Sequence, residues 1–458
     1  MKKIFFLLPG IVLGGYLGAQ NEANHWYFGT YAGLDFSGGA PVAVNGPMTT
    51  TEGTASVSTA SGQLLFYTNG VDIYDSTHTI MPNGSGLMGD VSTTQSALIV
   101  PNPANAMQYY VFTAAADGGA NGFRYSIVDM VLNGGQGDVT GAKNILLTDS
   151  VTEKICAIKD RGNNQYWIVT HKWGSNEFYA YLLTSSGLQP PVVSMAGTVH
   201  STTTFQNCYG QMKFNMCGDK IAVAIGYQKT VELFDFDLNT GMVSTPITLL
   251  HGDNVYGVEF SPSSEFLYTT GYDVTVTLAQ FNITSGIQST ILASKVPLSI
   301  TSDLYGLQIG PDKKIYVSRS FVSSYVGVIG APDSPGFACN YADNAIDLDP
   351  NFMGYNGALS LPSFPQNFLS ANIVCSGPTG AEEKTESVML KIFPNPSGEE
   401  FFIETKENIS VFVYDITGKL IETIPSGKKS FGKNYLSGAY VAVVSGNGYC
   451  NKIVLVKE

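Results

Sequence analysis

The sequence has few charged residues and, after its first 19 residues, no apolar run long enough to span a membrane as a helix. Charged residues make up 13% of the chain and hydrophobic residues 44%, which excludes a disordered protein and permits a large packed core. Basic residues are the scarcer charge, and the formal net charge is −13. Because an acidic surface repels phosphate backbones, nucleic acid is not expected as a partner.

The common catalytic and cofactor-binding motifs are also missing. The chain contains neither a Gly-x-Ser-x-Gly elbow nor His-Glu-x-x-His, and it has no Cys-x-x-Cys pair that would suggest zinc. Gly427–Asn434 almost matches a phosphate loop, but Asn434 replaces the required serine or threonine, which indicates a solvated turn. We therefore predict no catalytic residue and no cofactor.

Two acidic runs partly resemble calcium loops. Asp235–Gly241 begins like one, but Gly241 stands at the seventh place and Pro246 at the twelfth, where a bidentate glutamate is required. A hairpin turn is the better interpretation of this run. Asp343–Asp349 contains three aspartates, and calcium stays an alternative there.

The N-terminus has the pattern of a secretory signal peptide over Met1–Ala19. Two lysines precede the apolar run Ile4–Leu17, and small residues precede Gln20. A membrane anchor is the alternative, but Pro9 interrupts the run, and about fourteen residues are fewer than the roughly 20 that a spanning helix needs. We predict a cleaved signal and a mature chain without a transmembrane segment. Without the two leader lysines the net charge changes from −13 to −15.

One unit of about fifty residues occurs three times in Tyr209–Gly330. The copies begin with the Tyr-Gly pairs at Tyr209, Tyr256 and Tyr305, which are 47 and 49 residues apart. Each copy continues as short β-type runs separated by Gly, Asp and Asn. Sets of about four strands that recur every 40–50 residues are typical of β-propeller blades.

Similar strand openings continue through residues 20–375. They predict inner strands near positions 55, 97, 156, 211, 258, 307 and 358, hence an all-β fold with seven blades; six or eight remain alternatives. The strand-like segment Asn24–Phe36 precedes the first complete repeat. We expect it to supply the outer strand of the last blade and close the ring, which removes free sheet edges.

Tyrosines stand just before four of these inner strands. Tyr209, Tyr256, Tyr305 and Tyr355 recur every 47 to 50 residues, so a propeller places them around one mouth of its channel. They either pack between blades or stack on sugar rings. We propose them as candidate ligand-binding residues.

A second candidate site contains His171 and Trp173, which lie between two predicted strands. Either Trp173 fills a blade interface while His171 caps a turn, or the loop presents both to a sugar. Three carboxylates, Glu153, Glu259 and Asp303, are expected near inner-strand mouths, where a pair of them would serve a glycosidase or lyase.

The six cysteines stand at positions 156, 208, 217, 339, 375 and 450. Export permits disulfides, and six cysteines allow fifteen pairings. Cys208 and Cys217 flank one strand, so we predict a local bridge between them. We also predict that Cys339 and Cys375 close the last blade and that Cys156, inside an apolar run, is a buried free thiol.

Several motifs match one known family. They include Trp26-Tyr-Phe-Gly, Ala32-Gly-Leu-Asp-Phe, Leu64-Leu-Phe-Tyr-Thr-Asn-Gly and Thr94-Gln-Ser-Ala-Leu-Ile-Val-Pro. Over Asn24–Cys375 the chain resembles a family of secreted propeller-like proteins of gliding and related Gram-negative bacteria. The resemblance implies a fold and a compartment but no assigned activity.

The C-terminal part begins with residues 376–390, a polar stretch rich in Gly, Pro and Glu that we interpret as a linker. Short alternating strands in residues 391–458 then predict a small β-sandwich. This segment resembles a type A C-terminal sorting domain of the type IX secretion system. The residues that carry the resemblance are Pro394, Asn395, Pro396, Gly418, Lys419, Gly438, Tyr440, Lys452 and Lys457. The resemblance implies export through an outer-membrane translocon, removal of the domain and attachment of the cargo to surface lipopolysaccharide.

Three functions remain open at this stage. The first is a non-enzymatic surface protein that binds glycan or another cell-envelope component through one propeller face and serves in adhesion. The second is a propeller hydrolase or lyase that acts on polysaccharide, and the third is a purely structural surface protein. A shallow aromatic face favours the binding protein. A close carboxylate pair in a deep central pocket favours the hydrolase or lyase, and a filled channel without a concavity favours the structural protein.

Overall fold

The structure, a computed structural model, describes residues 21–160, 162–250, 254–272, 277–369, 391–405, 410–415, 419–446 and 449–458. The chain divides into two compact units, Met1–Ser376 and Gly377–Glu458. The predicted signal peptide and linker lie outside the described residues and stay predictions.

The described part of the first unit contains seven successive antiparallel sheets. The first three sheets are β1 (His25–Phe28), β2 (Thr30–Asp35) and β3 (Val42–Thr49); β4 (Ala55–Ser58), β5 (Leu64–Thr68), β6 (Asp72–Asp75) and β7 (Ile80–Ser85); and β8 (Ala97–Pro101), β9 (Gln108–Ala114), β10 (Phe123–Asp129), β11 (Asp138–Val139) and β12 (Ile145–Thr148). Strands pair in chain order, except that β11 and β12 both pair with β10.

Four further sheets complete the series. They are β13 (Val151–Asp160), β14 (Gln165–Lys172), β15 (Glu177–Thr184), β16 (Gly187–Leu188) and β17 (Val192–Met195); β18 (Met212–Phe214), β19 (Lys220–Ile225), β20 (Thr230–Phe236) and β21 (Val243–Leu250); β22 (Asn254–Phe260), β23 (Phe266–Tyr272), β24 (Leu278–Asn282) and β25 (Val296–Ser299); and β26 (Leu304–Ile309), β27 (Ile315–Arg319), β28 (Tyr325–Ile329) and β29 (Tyr341–Asp347). The helix α1 (Gln288–Ala293) lies between β24 and β25. Short 3₁₀ turns occur at Ala116–Gly118, Asn133–Gly135, Phe205–Cys208, Gly336–Cys339 and Gln366–Leu369.

Apolar clusters between neighbouring sheets hold the ring together. One joins the third and fourth sheets through residues such as Phe112 and Ile168, and another joins the fifth and sixth through Val231 and Leu267. A sheet with a neighbour on each side buries both faces, so β19 is a nearly continuous run of buried residues and does not alternate between buried and exposed. The ring of sheets is a β-propeller. Six of the predicted inner strands coincide with β4, β8, β13, β18, β22 and β26.

The segment 356–363 closes the ring. The amide of Thr30 donates to the carbonyl of Asn356 at 2.9 Å, and the amide of Gly306 in β26 donates to the carbonyl of Leu359 at 2.8 Å. Leu359 in turn donates to Thr51 at 2.8 Å, in the loop that leads into β4. The seam between the last and the first sheets is therefore made of main-chain hydrogen bonds on both sides of this segment.

The closure differs from the expected arrangement in two ways. The N-terminus supplies the whole three-stranded sheet β1–β3, whereas a single outer strand was predicted from Asn24–Phe36. The predicted inner strand near position 358 forms only isolated bridges, at Asn356 and Ser363. Pro362 and Pro365 explain this difference, because proline has no amide hydrogen to donate to a strand ladder.

The cysteines correct two predictions and confirm one. Cys156, Cys208 and Cys339 are buried free thiols, as predicted for Cys156 alone. The predicted Cys208–Cys217 bridge is wrong: the two residues lie at opposite ends of β18, whereas a disulfide needs Cα atoms within about 7 Å. Cys217 is disulfide-bonded, but to none of these three. The Cys339–Cys375 bridge is also wrong, and Cys375 lies outside the described residues.

The second unit contains two sheets around one core. Its strands are β30 (Lys391–Phe393), β31 (Phe401–Glu404), β32 (Ser410–Asp415), β33 (Leu420–Ile424), β34 (Ser430–Phe431), β35 (Gly438–Gly446) and β36 (Tyr449–Lys457). The sheets have the orders β30-β31-β34 and β33-β32-β35-β36. Phe401 and Phe431 from one sheet share a buried cluster with Val413 and Leu455 from the other, which is the packing of a small β-sandwich.

The closure can be tested at Trp26. Its ring is fully buried against Phe36, Tyr316 in β27 and Phe364 after the closing segment, at centroid distances of 4.8, 5.2 and 5.8 Å. We expect Trp26→Ala to lower the free energy of unfolding by about 3–5 kcal/mol, because it leaves a cavity at the seam. Denaturant unfolding measures this. Val42→Ala, an exposed change in the same N-terminal sheet, should stay within about 0.5 kcal/mol. Equal effects of the two changes would show that the N-terminal sheet does not close the ring.

Candidate functional site

The first strands of the sheets begin at one end of the ring, which we call the upper mouth; the opposite end is the lower face. Three carboxylates lie at the upper mouth: Glu52 before β4, Asp117 in the turn after β9, and Glu153 in β13. Glu52 and Glu153 are buried, whereas Asp117 is exposed. The loops between second and third strands return to the same end, which is why Asp117 joins the other two.

Glu153 is held on both of its carboxylate oxygens. Oε2 accepts hydrogen bonds from the amide and the hydroxyl of Thr94, both at 2.9 Å, and Oε1 accepts one from the amide of Asp117 at 2.9 Å. Burial nevertheless raises the pKa of Glu153 to about 7. Burial and then the charge of Glu153 raise the pKa of Glu52 well above its usual value. The charge of Glu153 therefore reaches Glu52 inside the mouth.

Lys154 lies beside Glu153 and is fully buried. Its Nζ donates to the carbonyl oxygens of Cys208 and Tyr209 at 2.5 and 2.9 Å, which ties the fourth sheet to the fifth. Burial lowers the pKa of Lys154 to about 8. The hydrogen bonds point into the protein, so this lysine supports the wall of the mouth.

Side chains from non-adjacent sheets meet across the centre of the ring below the mouth. Gln95 of the third sheet donates to the carbonyl of Met212 at 3.2 Å and accepts from its amide at 2.8 Å. Gln211 accepts from the amide of Leu307 at 2.9 Å, which connects the fifth sheet to the seventh. These bonds span the axis and fill it with protein.

A buried ion pair lies in the same central region. Nζ of Lys213 is 3.6 Å from Oε2 of Glu259, and Lys213 also donates to Gln308. The other oxygen of Glu259 accepts from the side chain of Gln366 at 3.3 Å. Glu259 is fully buried in this network, which does not include Glu153 or the exposed Asp303. Glu153, Glu259 and Asp303, which the sequence analysis placed together near inner-strand mouths, therefore do not form one cluster in the structure.

Three of the four predicted tyrosines come together at the upper mouth. The hydroxyl of Tyr256 donates to Oε2 of Glu52 at 2.8 Å, and this ring is buried. Tyr305 is half-buried and meets Tyr256 edge-on at 5.5 Å. Half-buried Tyr209 hydrogen-bonds Asp117, and burial followed by that negative charge raises its pKa. Tyr256 is therefore a packing residue, whereas Tyr209 and Tyr305 keep part of their rings at the surface.

Tyr355 lies elsewhere on the first sheet. Its hydroxyl accepts a hydrogen bond from Nδ2 of Asn45 at 3.0 Å. It lines a shallow depression with Tyr31 and His78, on the side of the ring where the closing segment begins. The 50-residue spacing predicted that Tyr355 occupies a position equivalent to those of the other three tyrosines. The irregular closing segment does not place it there.

Two further tyrosines extend the surface beside Tyr305. Tyr272 stacks on Tyr305 at 5.9 Å, and Tyr227 is tilted against Tyr272 at 6.4 Å. Tyr227 is 40% exposed and Tyr272 is half-buried. We call Tyr227, Tyr272 and Tyr305 the tyrosine strip. Sequence reasoning missed the first two because it considered tyrosines at the starts of first strands, whereas Tyr227 follows the second strand β19 and Tyr272 ends the second strand β23. The return of second strands to the upper mouth is the signal that could have found them.

His171 and Trp173 are packed more deeply than a ligand-presenting loop requires. His171 is buried, stacks on His200 at 3.8 Å between ring centroids and meets Phe178 edge-on at 4.7 Å. Burial, and then the charge of Lys154, lower the pKa of His171 to about 3. Half-buried Trp173 covers Gly118, where an added Cβ would lie 2.4 Å from the indole. Trp173 thus packs against a loop of the third sheet, and His171 packs against His200, which lies between the fourth and fifth sheets.

The predicted sorting residues lie at both edges of the second unit. Oδ1 of Asn395, between Pro394 and Pro396, accepts from the amide of Val456 at 2.8 Å, and buried Lys457 donates its Nζ to the carbonyl of Glu399. These contacts fasten the first residues of the unit to its last strand.

Other sorting residues shape the turns. The amide of Lys419 donates to Asp415 at 3.0 Å, and the hydroxyl of Tyr440 donates to the carbonyl of Leu436 at 2.9 Å across the turn before Gly438. Lys452 pairs with Val443 in the β35–β36 ladder. Gly418 lies outside the described residues.

Residues 391–457 match the protein family described as the secretion system C-terminal sorting domain. This match confirms the sorting-domain prediction and supports secretion by the type IX system to the cell surface or the extracellular space. It also implies interaction with that secretion machinery. Among the described residues, no helix is both long and apolar enough to cross a membrane.

Comparisons of the whole chain add little about function. A candidate 6-phosphogluconolactonase from Bacteroides fragilis is 11% identical, with a TM-score of 0.48 over 74% of this chain and 97% of its own. Kluyveromyces lactis Hsv2 is 11% identical, with a TM-score of 0.39 over 68% and 90%. A protein of unknown function from Desulfotomaculum acetoxidans is 12% identical, with a TM-score of 0.37 over 82% and 95%. No curated protein matches the sequence significantly.

The sorting role gives one test. Deletion of residues 391–458 should leave a folded propeller in the periplasm, because the outer-membrane machinery no longer finds its signal. Protease accessibility on intact cells and fractionation measure this. The full-length chain is the control, and normal surface display of the shortened chain would contradict the assignment.

The histidine pair predicts a pH dependence of stability. Both rings have pKa values below the usual 6.5, so the unfolded chain takes up protons that the folded chain refuses when the pH falls. Their stabilising contribution is complete above about pH 6.5 and is lost as the pH falls below it, toward about 3 for His171, at no more than about 1.4 kcal/mol per pH unit and histidine. Relative to wild type, His171→Phe/His200→Phe should therefore become more stable between pH 7.5 and pH 5 in denaturant unfolding.

Glu153 provides the matched control because its sign is opposite. Its raised pKa makes its contribution complete below about pH 4.5 and lost as the pH rises through 7. Relative to wild type, Glu153→Gln should lose stability over the same acid shift that favours the histidine variant. The same direction of change in both variants would contradict the assignment of the pH dependence to these groups.

Proposed function

We propose that the propeller is a non-enzymatic, surface-displayed binding module that recognises glycan through its upper mouth. The observation that carries this proposal is the tyrosine strip, a run of neighbouring aromatic rings at the surface over an axis filled with protein. Aromatic rings offer a large contact area with few rotatable bonds and suit the apolar faces of sugars. Half-buried Tyr209, beside exposed Phe205 at 6.0 Å, adds aromatic area at the same end.

The charge of the mouth supports a particular class of glycan. Asp117 and Asp303 are exposed next to Tyr209 and Tyr305, and the whole chain is acidic. Carboxylates accept hydrogen bonds from hydroxyl and ammonium groups and repel other carboxylates. Neutral and amino-bearing glycans are therefore preferred over polysaccharides of uronic acids. Tyr355, His171 and Trp173 have supporting roles at most, because they lie apart from the strip or below the surface.

A polysaccharide hydrolase or lyase is the alternative. The charge of Glu153 contributes, after burial, to the raised pKa of Glu52, and raised pKa values are typical of catalytic carboxylates. Both are buried, however, and Glu153 already accepts three hydrogen bonds from the protein. A general acid or nucleophile must reach the glycosidic bond, so their burial favours binding over catalysis. The filled axis alone would also suit a purely structural protein, but such a protein has no need of a tyrosine strip that is partly at the surface.

The proposal also includes a cellular setting. The sorting domain delivers the propeller to the outside of the cell, where attachment to surface lipopolysaccharide, as its family resemblance implies, would hold the upper mouth among extracellular glycans. Adhesion follows from binding there.

A glycan array probed with the chain from Gln20 to Glu458 tests the proposal, together with an assay for polysaccharide degradation. Tyr227→Ala and Tyr305→Ala should each weaken binding about tenfold, or ~1.4 kcal/mol, because each removes a stacking surface. Phe337→Ala, an exposed aromatic change on the lower face, is the matched control and should bind as wild type. Release of sugar products would support the enzyme instead, and absence of any bound glycan would support the structural protein.

A further inference from the structure

A second cavity lies on the lower face, where the first strands of the second, third and fourth sheets end. Its volume is about 500 Å³, within the usual range of small-molecule sites. Ser58 at the end of β4, Pro101 at the end of β8 and Lys159 near the end of β13 form part of its wall. The cavity therefore lies at the end of the ring opposite the upper mouth.

The walls are mainly apolar and aromatic. Leu65, Met130 and Phe368 line the cavity together with the rings of Tyr109 and Tyr166. Such surfaces suit a flat apolar body, and two tyrosine faces also attract a positive charge through their ring electrons. Lys159 already uses this property, with its Nζ 5.7 Å from the Tyr166 ring centre.

One wall carries a carboxylate with an unsatisfied oxygen. Glu22 lines the cavity, and its Oε2 is buried without a hydrogen-bond partner among the described residues. A buried acceptor that lacks a donor is destabilising, and a ligand that donates a hydrogen bond to it recovers that loss. The Glu22 charge also acts on Tyr109 and Tyr166, since it contributes, after burial, to the raised pKa of each hydroxyl.

We propose that this cavity is a binding site for a small molecule that carries an ammonium group on a flat, apolar body. The ammonium donates to the Glu22 carboxylate, and the body lies against Tyr109 and Tyr166. An anion on the same body is repelled by the Glu22 carboxylate, and the Lys159 ammonium in the same wall already lies over the Tyr166 ring and acts on Glu22. The predicted cleavage after residue 19 leaves Glu22 in the mature chain, so the site survives export.

Calorimetric titration of the chain from Gln20 to Glu458 with two matched probes tests the site. Tyramine supplies the ammonium on a phenol ring, and 3-(4-hydroxyphenyl)propionate supplies a carboxylate on the same ring. Tyramine should bind with 1:1 stoichiometry, and the propionate should bind at least tenfold more weakly. Failure of tyramine to bind, or equal binding of both probes, overturns the proposal.

Two variants localise the binding. Glu22→Gln keeps the shape of the side chain but removes its charge and should weaken tyramine about tenfold; Ala106→Trp, at an exposed position on the rim, should block the cavity. Phe337→Ala is the control and should bind as wild type. Thermal unfolding confirms that each variant is folded. Unchanged tyramine affinity in folded Glu22→Gln or Ala106→Trp overturns the site, whatever the glycan array shows for the upper mouth.

Discussion

The burial of both faces of every sheet is the constraint on which the propeller depends. The clusters that contain Phe112 and Ile168, or Val231 and Leu267, each belong to two sheets at once. No sheet can therefore bury its apolar residues without both neighbours, and the ring must close. The closing segment satisfies this requirement through main-chain hydrogen bonds to Thr30 on one side and Gly306 on the other. The N-terminal sheet, the seam and the filled axis are all consequences of the need to close the ring.

The centre of the ring shows how the same constraint limits chemistry. Lys213, Glu259 and Lys154 are charged residues in the interior, and each is satisfied by the protein itself. A carboxylate that is fully engaged in holding loops together contributes to specificity of packing but is unavailable to a substrate. Contacts with a ligand are left to the loops and strand ends at the upper mouth, where the tyrosine strip, Asp117 and Asp303 lie.

Much of the fold could be predicted from the sequence because the length of a repeat can be read directly from the spacing of its copies. The Tyr-Gly pairs at Tyr209, Tyr256 and Tyr305 located three first strands, and apolar runs located three more. Features that depend on sequence-distant contacts could not be predicted. The pairing of Thr30 with Asn356 and the association of Tyr227 with Tyr272 arise only once the ring exists. Cysteine spacing misled for the same reason, since Cys208 and Cys217 are near in sequence but separated by the length of β18.

The position of the closing segment has a mechanical consequence. A pull on Leu369, the last described residue of the first unit, loads the buried turn Gln366–Leu369 and then this segment before any complete sheet. The force would be shared by its main-chain hydrogen bonds to the first sheet and to the loop before β4. Under tension the molecule would thus fail first at its seam, with the six sheets from β4 to β29 still paired strand to strand.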